Sequence, residues 1–385
     1  MVTSSLSSAL SMAMIFSKTS HTTSKPAPGS NCSNDNRRVP SFRSAHGFLV
    51  YSKHGQPFLT NASSCLPIPI RWISGQIQTM CTISFDAIST DKLEDIPHSF
   101  VQDKRAYSQK LRIRSFEIDR DHKLSLEALM GYLQDTALNH ARTMGIVEDG
   151  FGSTIEMVKN DLIWVISTMH ILVDRYPTWA DDVQLHTWIY AEGKNGMGRD
   201  WLIRDDRTGD ILVRATSVFL IINKKTRKLS KFRDEIREAC APFFSSRDPI
   251  IEKDSIKIPQ FNDDTEVHIR SGLRPGWNDL DINEHVNNIK YIDWILEGTP
   301  GSFMEHNEVS AMTLEYRKEC DRDSVLESLS RVSRNATACD GVVELEHLLR
   351  HENGSEVMKA RTTWKPKDVN SHKTRFWIPG KQQTY

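Results

Sequence analysis

The chain has 385 residues, 26% of them charged, and a formal net charge of -1. That length allows two or three domains, and the balanced charge excludes the broad basic surface that non-specific nucleic-acid binding requires. No apolar run approaches the roughly 20 residues of a membrane helix; the longest, such as 218–222, are strand-sized.

Residues 1–85 are rich in Ser and Thr, carry Lys18, Lys25, Arg37, Arg38, Arg43, Lys53 and Arg71, and contain one acid, Asp35. A basic, hydroxyl-rich, acid-poor stretch is the signature of an organellar transit peptide, and its serine content points to the plastid. Residues 1–85 are therefore expected to be a transit peptide with its linker. Three of the six cysteines, Cys32, Cys65 and Cys81, fall there; Cys240, Cys320 and Cys339 have neither paired nor C-x-x-C spacing. Neither a disulfide frame nor a zinc site is expected, and no cofactor is implied.

Beyond a polar hinge the pattern divides into two similar units. The first starts with a strand over 110–118 and a helix over 125–145. The helix's Leu126, Leu129, Met130, Leu133, Ala137, Ala141 and Met144 share one face, with Ser125 as N-cap and Gly145 as stop. Strands are predicted at 162–173, 182–192, 199–205 and 211–223, the last two joined by a hairpin turn at 206–209. The basic run Lys224, Lys225, Arg227, Lys228, Lys231 and Arg233 follows, suited to steering an acidic partner.

The second unit repeats the order: a strand at 267–273, a helix over 283–297, then strands at 310–319, 324–333, 342–351 and 356–364, with a hairpin turn at 351–354. One helix followed by antiparallel strands, twice over, implies two α+β units. Just ahead of the second helix, Asp281, Asn283 and His285 recur at alternate positions. In extended chain their side chains point the same way, and the helix start would offer unpaired amides and a positive dipole end. Such a site can polarise a carbonyl and move protons. Glu319 and Cys320 close a predicted strand, so their side chains should face opposite sides. Cys320 with a His and an Asn would be a thiolate-based alternative; Glu319 is the favoured partner of His285.

Several segments together resemble the plant acyl-ACP thioesterases. They include Leu162-Ile-Trp-Val165, Gly193-Lys-Asn-Gly196, Arg199-Asp-Trp-Leu202, the run from Asp279 to Asn288, Trp294-Ile-Leu-Glu297 and Leu314-Glu-Tyr-Arg-Lys-Glu-Cys320. The likeness spans roughly 105–367 and is closer to the branch releasing mainly saturated acids (the FatB type) than to the oleoyl-preferring FatA type. It implies an α+β tandem hot-dog fold, each unit an antiparallel sheet wrapped around a central helix. The implied layout is an acyl-binding N-terminal hot dog at 105–240, a catalytic C-terminal hot dog at 262–367 and a tail at 368–385. The acyl tail so implied would need an apolar slot between the first helix and its sheet, with Met130, Leu133, Met144, Trp164 and Trp188 as candidate liners. The implied activity is hydrolysis of fatty acyl-ACP in the plastid stroma, with acyl carrier protein as partner, no transmembrane segment and a possible homodimer. Matched to the family motif, the catalytic set is Asp281, Asn283, His285 and Glu319. Asp281 would serve as nucleophile or base, Asn283 would orient, and His285 with Glu319 would handle protons. The chain departs from the family pattern at Gly198 and Gly276, where Arg is usual, at Glu284 (Gln) and at Asp293 (Gly). An acyl-CoA thioesterase and a catalytically weak acyl-carrier-binding protein are the competing expectations.

Overall fold

A computed structural model describes residues 101–148, 152–251, 258, 260–261, 267–281, 284–333 and 341–368. The expected transit peptide and the tail beyond residue 368 lie outside these. Among the described residues no helix is long and apolar enough to cross a membrane.

The first unit comprises β1 (Ala106–Arg112), α1 (Leu126–Met144), the short α2 (Ile155–Lys159), β2 (Leu162–Val173), β3 (Asp182–Glu192), β4 (Gly196–Asp205), β5 (Ile211–Asn223), the two-residue β6 (Leu229–Ser230) and α3 (Asp234–Cys240). The second has β7 (His268–Leu273), α4 (Tyr291–Glu297), α5 (Gly301–His306), β8 (Asn307–Tyr316), β9 (Leu326–Val332), β10 (Val343–His351) and β11 (Glu356–Pro366).

α1 begins and ends where the sequence puts its caps. The Ser125 hydroxyl accepts a hydrogen bond from the Ala128 amide at 3.1 Å, and Gly145 leaves the helix at φ 76°, a conformation cheap only for glycine. Leu129, Met130 and Leu133 are buried on its apolar face. Trp201 of β4 donates from its indole N–H to the Leu133 carbonyl at 2.9 Å, so the concave face of the sheet holds the helix.

The strands run β1-β3-β4-β5-β2-β8-β11-β10-β9-β7, with β6 added to β5. Counted outward from the β2–β8 joint, both halves follow one order: second strand of the unit, then fifth, fourth, third, first. The internal repeat read from the sequence is thus a repeat of topology. The halves are joined edge to edge, His170 opposite Thr313, the His170 Nδ1 2.6 Å from the threonine hydroxyl. Tyr176 adds a hydrogen bond to the Val309 carbonyl at 2.8 Å. Lys123 pairs with Glu308 across the same boundary.

Both predicted hairpin turns form. Gly209 (φ 77°) and Gly354 (φ 83°) take the left-handed position, and their amides reach Asp205 and His351 carbonyls. Three elements differ from expectation. β1 lies earlier, because residues 114–117 fold into a turn in which the Arg114 amide and guanidinium both bind the Glu117 carboxylate. β8 starts at Asn307 and ends at Tyr316, so Glu319 and Cys320 are not in a strand. α4 has 7 residues, preceded by a 3₁₀ turn at Asn288–Lys290; it does not extend back to Asn283.

The segment after α3 crosses the convex face of the first half. Ser245 donates to the Ile189 carbonyl, and Ile250 donates its amide to buried Asp200 at 3.0 Å. This face explains one departure from the family pattern. A Cβ on Gly198 would lie 2.1 Å from the Tyr190 ring, its cross-strand neighbour. Tyr190 occupies the space that an arginine side chain at 198 would need.

Candidate active site

The site lies in the loop between β7 and α4, and tertiary pairing shapes it. Gly276 donates its amide to the Asp279 carboxylate at 2.7 Å, opening a 3₁₀ turn over Trp277–Asp279. Leu280 then bridges Val286, and His285 bridges Asp321. Asp281 and His285 face each other across this tight loop: the Asp281 amide donates to the His285 carbonyl at 2.7 Å. The His285 amide donates to the Asp281 carboxylate at 3.2 Å. Glu284 takes the corner at φ 65°, a left-handed conformation uncommon outside glycine. Asn283 falls outside the described residues.

A shortened helix overturns the expected oxyanion donors. The amides of Glu284, His285 and Val286 are committed to the Asp281 carbonyl, the Asp281 carboxylate and the Cys320 carbonyl. The helix start itself comes after His285, at Asn288–Tyr291. These backbone N–H groups are therefore not free to receive a developing negative charge.

Glu319 reaches the loop from the segment leaving β8, where the Arg317 and Lys318 amides both bond to the Val357 carbonyl. Its Oε1 is 3.6 Å from His285 Nε2. The other ring nitrogen, Nδ1, is buried without a hydrogen-bond partner. The imidazole thus has one nitrogen facing a carboxylate and one buried without a hydrogen-bond partner. The structure brings Asp281, His285 and Glu319 into one cluster.

Cys320 is 1% exposed. Its amide donates to the Tyr291 hydroxyl at 2.9 Å, which also moors the first residue of α4 to this segment. Burial pushes its thiol up to about 11, the opposite of what an activated thiolate needs. The strand alternation expected to separate it from Glu319 is absent, but the irregular backbone separates them all the same.

Asp293, where the family usually has glycine, lies beside Glu127 of α1 and Lys290. Burial, then the Glu127 charge, raise its carboxyl to about 6. Lys290 bonds to Glu127 and lies 3.9 Å from Asp279, so this small charged network links α1 to the loop that carries Asp281 and His285.

A second feature lies in the first half. A cavity between α1 and the sheet is lined by Ala137, Ala141, Met144, Trp164, Ile189, Met197, Phe219 and Arg199, among others. Of the liners expected from sequence, Met144 and Trp164 are on its wall, whereas Met130 and Leu133 are packed core. Trp188 is buried on the opposite face of β3, under the Arg247 guanidinium 5.5 Å away. Arg199 was missed. Its guanidinium donates to Thr187 Oγ1 and to His140 Nδ1, each at 3.1 Å. Because arginine can only donate, His140 Nδ1 must accept, and its Nε2–H donates to the Lys104 carbonyl at 2.9 Å. Burial, and then Arg199, lower this histidine to about 3, consistent with a neutral ring. Strand alternation from Trp201 could have placed Arg199 on the inner face, though not its partners.

Comparison with known proteins gives the family and the fold. Residues 104–240 match the family model described as the acyl-ACP thioesterase N-terminal domain, and 262–366 match the acyl-ACP thioesterase C-terminal domain. The chain belongs to the acyl-ACP thioesterase family. A chloroplastic palmitoyl-acyl carrier protein thioesterase of Gossypium hirsutum is 50% identical over 285 residues, covering 73% of this chain and 69% of that protein. A chloroplastic palmitoyl-acyl carrier protein thioesterase of Arabidopsis thaliana is 51% identical, covering 69% of this chain and 66% of that protein. The chain therefore spans about two thirds of the length of these curated relatives. Among solved structures, the 12:0-ACP thioesterase from Umbellularia californica superposes with a TM-score of 0.64 at 46% identity, over 68% of this chain and 95% of that one. The tandem hot-dog arrangement is that of this family.

Proposed function

We propose that this acyl-ACP thioesterase family member hydrolyses the thioester of fatty acyl-ACP, releasing a free fatty acid and the carrier, in the plastid stroma. In this reading residues 105–240 hold the acyl tail and 262–367 carry out the chemistry. The observation that carries it is the clustering of Asp281, His285 and Glu319 at a loop of a family-matching fold, with an apolar cavity in the other half. The relatives' names support the substrate class and the plastid.

Hydrolysis needs an attacking oxygen, a proton acceptor for it and a leaving group. The leaving thiol, with an ordinary pKa of about 8.5, departs readily. Asp281 is the carboxylate that attacks the acyl carbon or orients the attacking water, and Asn283 orients it or the carbonyl. His285 takes the proton from water; the imidazolium that forms faces Glu319, and the proton then passes to the departing sulfur. Water and thioester thus become carboxylate and thiol, with one proton released at neutral pH. Two measurements separate the Asp281 roles. After single turnover in 18O-water, label in the Asp281 side chain shows an anhydride opened at the aspartyl carbonyl; where only the fatty acid is labelled, capture of an acyl-Asp281 adduct by hydroxylamine distinguishes an anhydride opened at the acyl carbon from direct attack by water. Offering the purified protein acyl-ACPs of several lengths tests the activity itself; no released fatty acid from any of them rejects it.

The remaining basic side chains of the β5–β6 region support the carrier as partner. Lys228 and Lys231 form no ion pair among the described residues, which leaves them available to an acidic surface. A homodimer belongs to the same proposal, the end strands β1 and β7 being the edges to which a second copy would add; sedimentation velocity tests it.

A further inference from the structure

Arg227 belongs by sequence to the basic run, yet its guanidinium does not simply project to solvent. It stands on the turn between β5 and β6, in the first half of the molecule. That turn is built firmly. The Asn223 side chain accepts from the Lys225 and Thr226 amides at 3.1 and 2.8 Å, and Arg227 returns its amide to the Asn223 carbonyl at 2.8 Å. Lys224 and Lys225 tie the turn to Asp161. From this base the guanidinium crosses to the second half. Its Nε donates to Glu319 Oε1 at 2.8 Å, and its Nη2 bonds to Oε2. The pair is a planar fork on both carboxylate oxygens, a geometry that lysine cannot reproduce. The Oε1 held by Nε is the one 3.6 Å from His285 Nε2.

We infer that Arg227 is a positioning residue for the thioesterase reaction, supplied by the N-terminal half to the catalytic histidine of the C-terminal half through Glu319. The inference rests on the proposed proton-handling role of His285 and Glu319. Two consequences follow from the shared oxygen. The fork sets where the Glu319 carboxylate points, and hence where the imidazole is steadied. It also offsets the charge of Glu319, so that His285 faces a compensated carboxylate. Among the described residues, the other charged or titratable groups on the elements around the imidazole are Asp281 and Glu284 on its own loop, Lys318, Cys320 and Asp321 on the segment it bridges, and the Tyr291 hydroxyl from α4, which feels the Glu319 charge. Arg227 is the base that forks onto Glu319.

The test compares Arg227→Gln, Arg227→Lys, Glu319→Gln and the Arg227→Gln/Glu319→Gln double variant, using both acyl-ACP and a small acyl-pantetheine thioester. Arg227→Gln is expected to lower kcat about 10- to 100-fold on both substrates, by analogy with the loss when the hydrogen-bond partner that orients a metal-bound histidine is removed. It should also move the acidic limb of the kcat/KM profile upward by about one pH unit, because an uncompensated Glu319 favours the imidazolium. Arg227→Lys should bring the limb back while recovering only part of kcat. Removing Arg227 from the Glu319→Gln protein should cost little more. The titration of the His285 ring followed by NMR, assigned with His285→Asn, gives the same shift without reference to turnover.

An Arg227→Gln protein with an unmoved limb and a raised KM for acyl-ACP alone would make Arg227 a carrier-docking residue and overturn the inference. So would additive losses in the double variant, or a folding defect that Arg227→Lys fails to relieve with the limb unchanged. Full activity in Glu319→Gln or His285→Asn would instead remove the catalytic reading beneath it.

Discussion

The two halves share a strand order and differ in what precedes their sheets. In the first, α1 runs 19 residues from a capped start to a glycine stop and presents small side chains, Ala137 and Ala141, toward the cavity. In the second, the helix is 7 residues long and its missing turns are replaced by the loop from Trp277 to Asn287. A long regular helix against a concave sheet leaves an elongated apolar space. A loop in the same place can set polar side chains at chosen angles, because its backbone hydrogen bonds follow no helical repeat: Asn287 bonds to Asp279 and Asp281 to His285 within the loop, and Val286 bonds outward to Cys320. On the proposed function, the repeated architecture gives chain binding to the half with the long helix and proton chemistry to the half with the loop. Arg227 shows that the separation is not complete.

The comparison breaks most directly at the loop. Asp281→Asn and His285→Asn are expected to lower kcat by 10²- to 10⁴-fold, the usual worth of a positioned acid or base, with thermal unfolding close to the parent's. A variant of either residue with near-parent turnover on acyl-ACP would leave the loop without a chemical role. In the first half, Ala141→Phe narrows the cavity without touching the loop. Released acids should shift to shorter chains, the ratio of long to short products falling about tenfold, in line with the few kcal/mol at stake per methylene or two in an apolar pocket. Gas chromatography of the products from mixed acyl-ACPs reads this; an unaltered profile would separate the cavity from the acyl tail.

The smallest effect concerns the contact between α1 and α4. Asp293 is raised to about 6 by burial and by Glu127, above the ordinary carboxyl value of about 3.9. The folded state therefore holds this proton more tightly than the unfolded chain. The stability it contributes is present in full below about pH 4 and is lost as the pH rises through about 6. Asp293→Asn should accordingly unfold at a higher temperature than the parent at pH 7.5, the gap closing as the pH falls from 6 to 4. A gap independent of pH, measured by scanning calorimetry, would mean that the residue acts through packing and not through its charge.

Much of the first half was legible. β2, β3 and β5 coincide with their predicted spans because apolar runs and turn residues bound them locally, and α1 carries both caps in its own sequence. The second helix misled for a physical reason. Val286, Ile289 and Ile292 have helical spacing, but Val286 gives its amide to Cys320, thirty-four residues away in the chain, and the helix waits until Asn288 has passed. Likewise Glu319 was expected in a strand that ends three residues before it.

From the sequence alone came the family, the tandem organisation and the residues that make up the candidate chemistry, since composition, periodicity and motif spacing are properties of neighbours along the chain. The backbone conformation of the catalytic loop, the loss of the helix-start amides as oxyanion donors, and the reach of Arg227 to Glu319 were decided only on folding. Each depends on which distant hydrogen-bonding groups meet across the joined sheet. An arginine in a basic run reads as a surface charge until the partner carboxylate, contributed by the other half, is brought within 3 Å of its guanidinium.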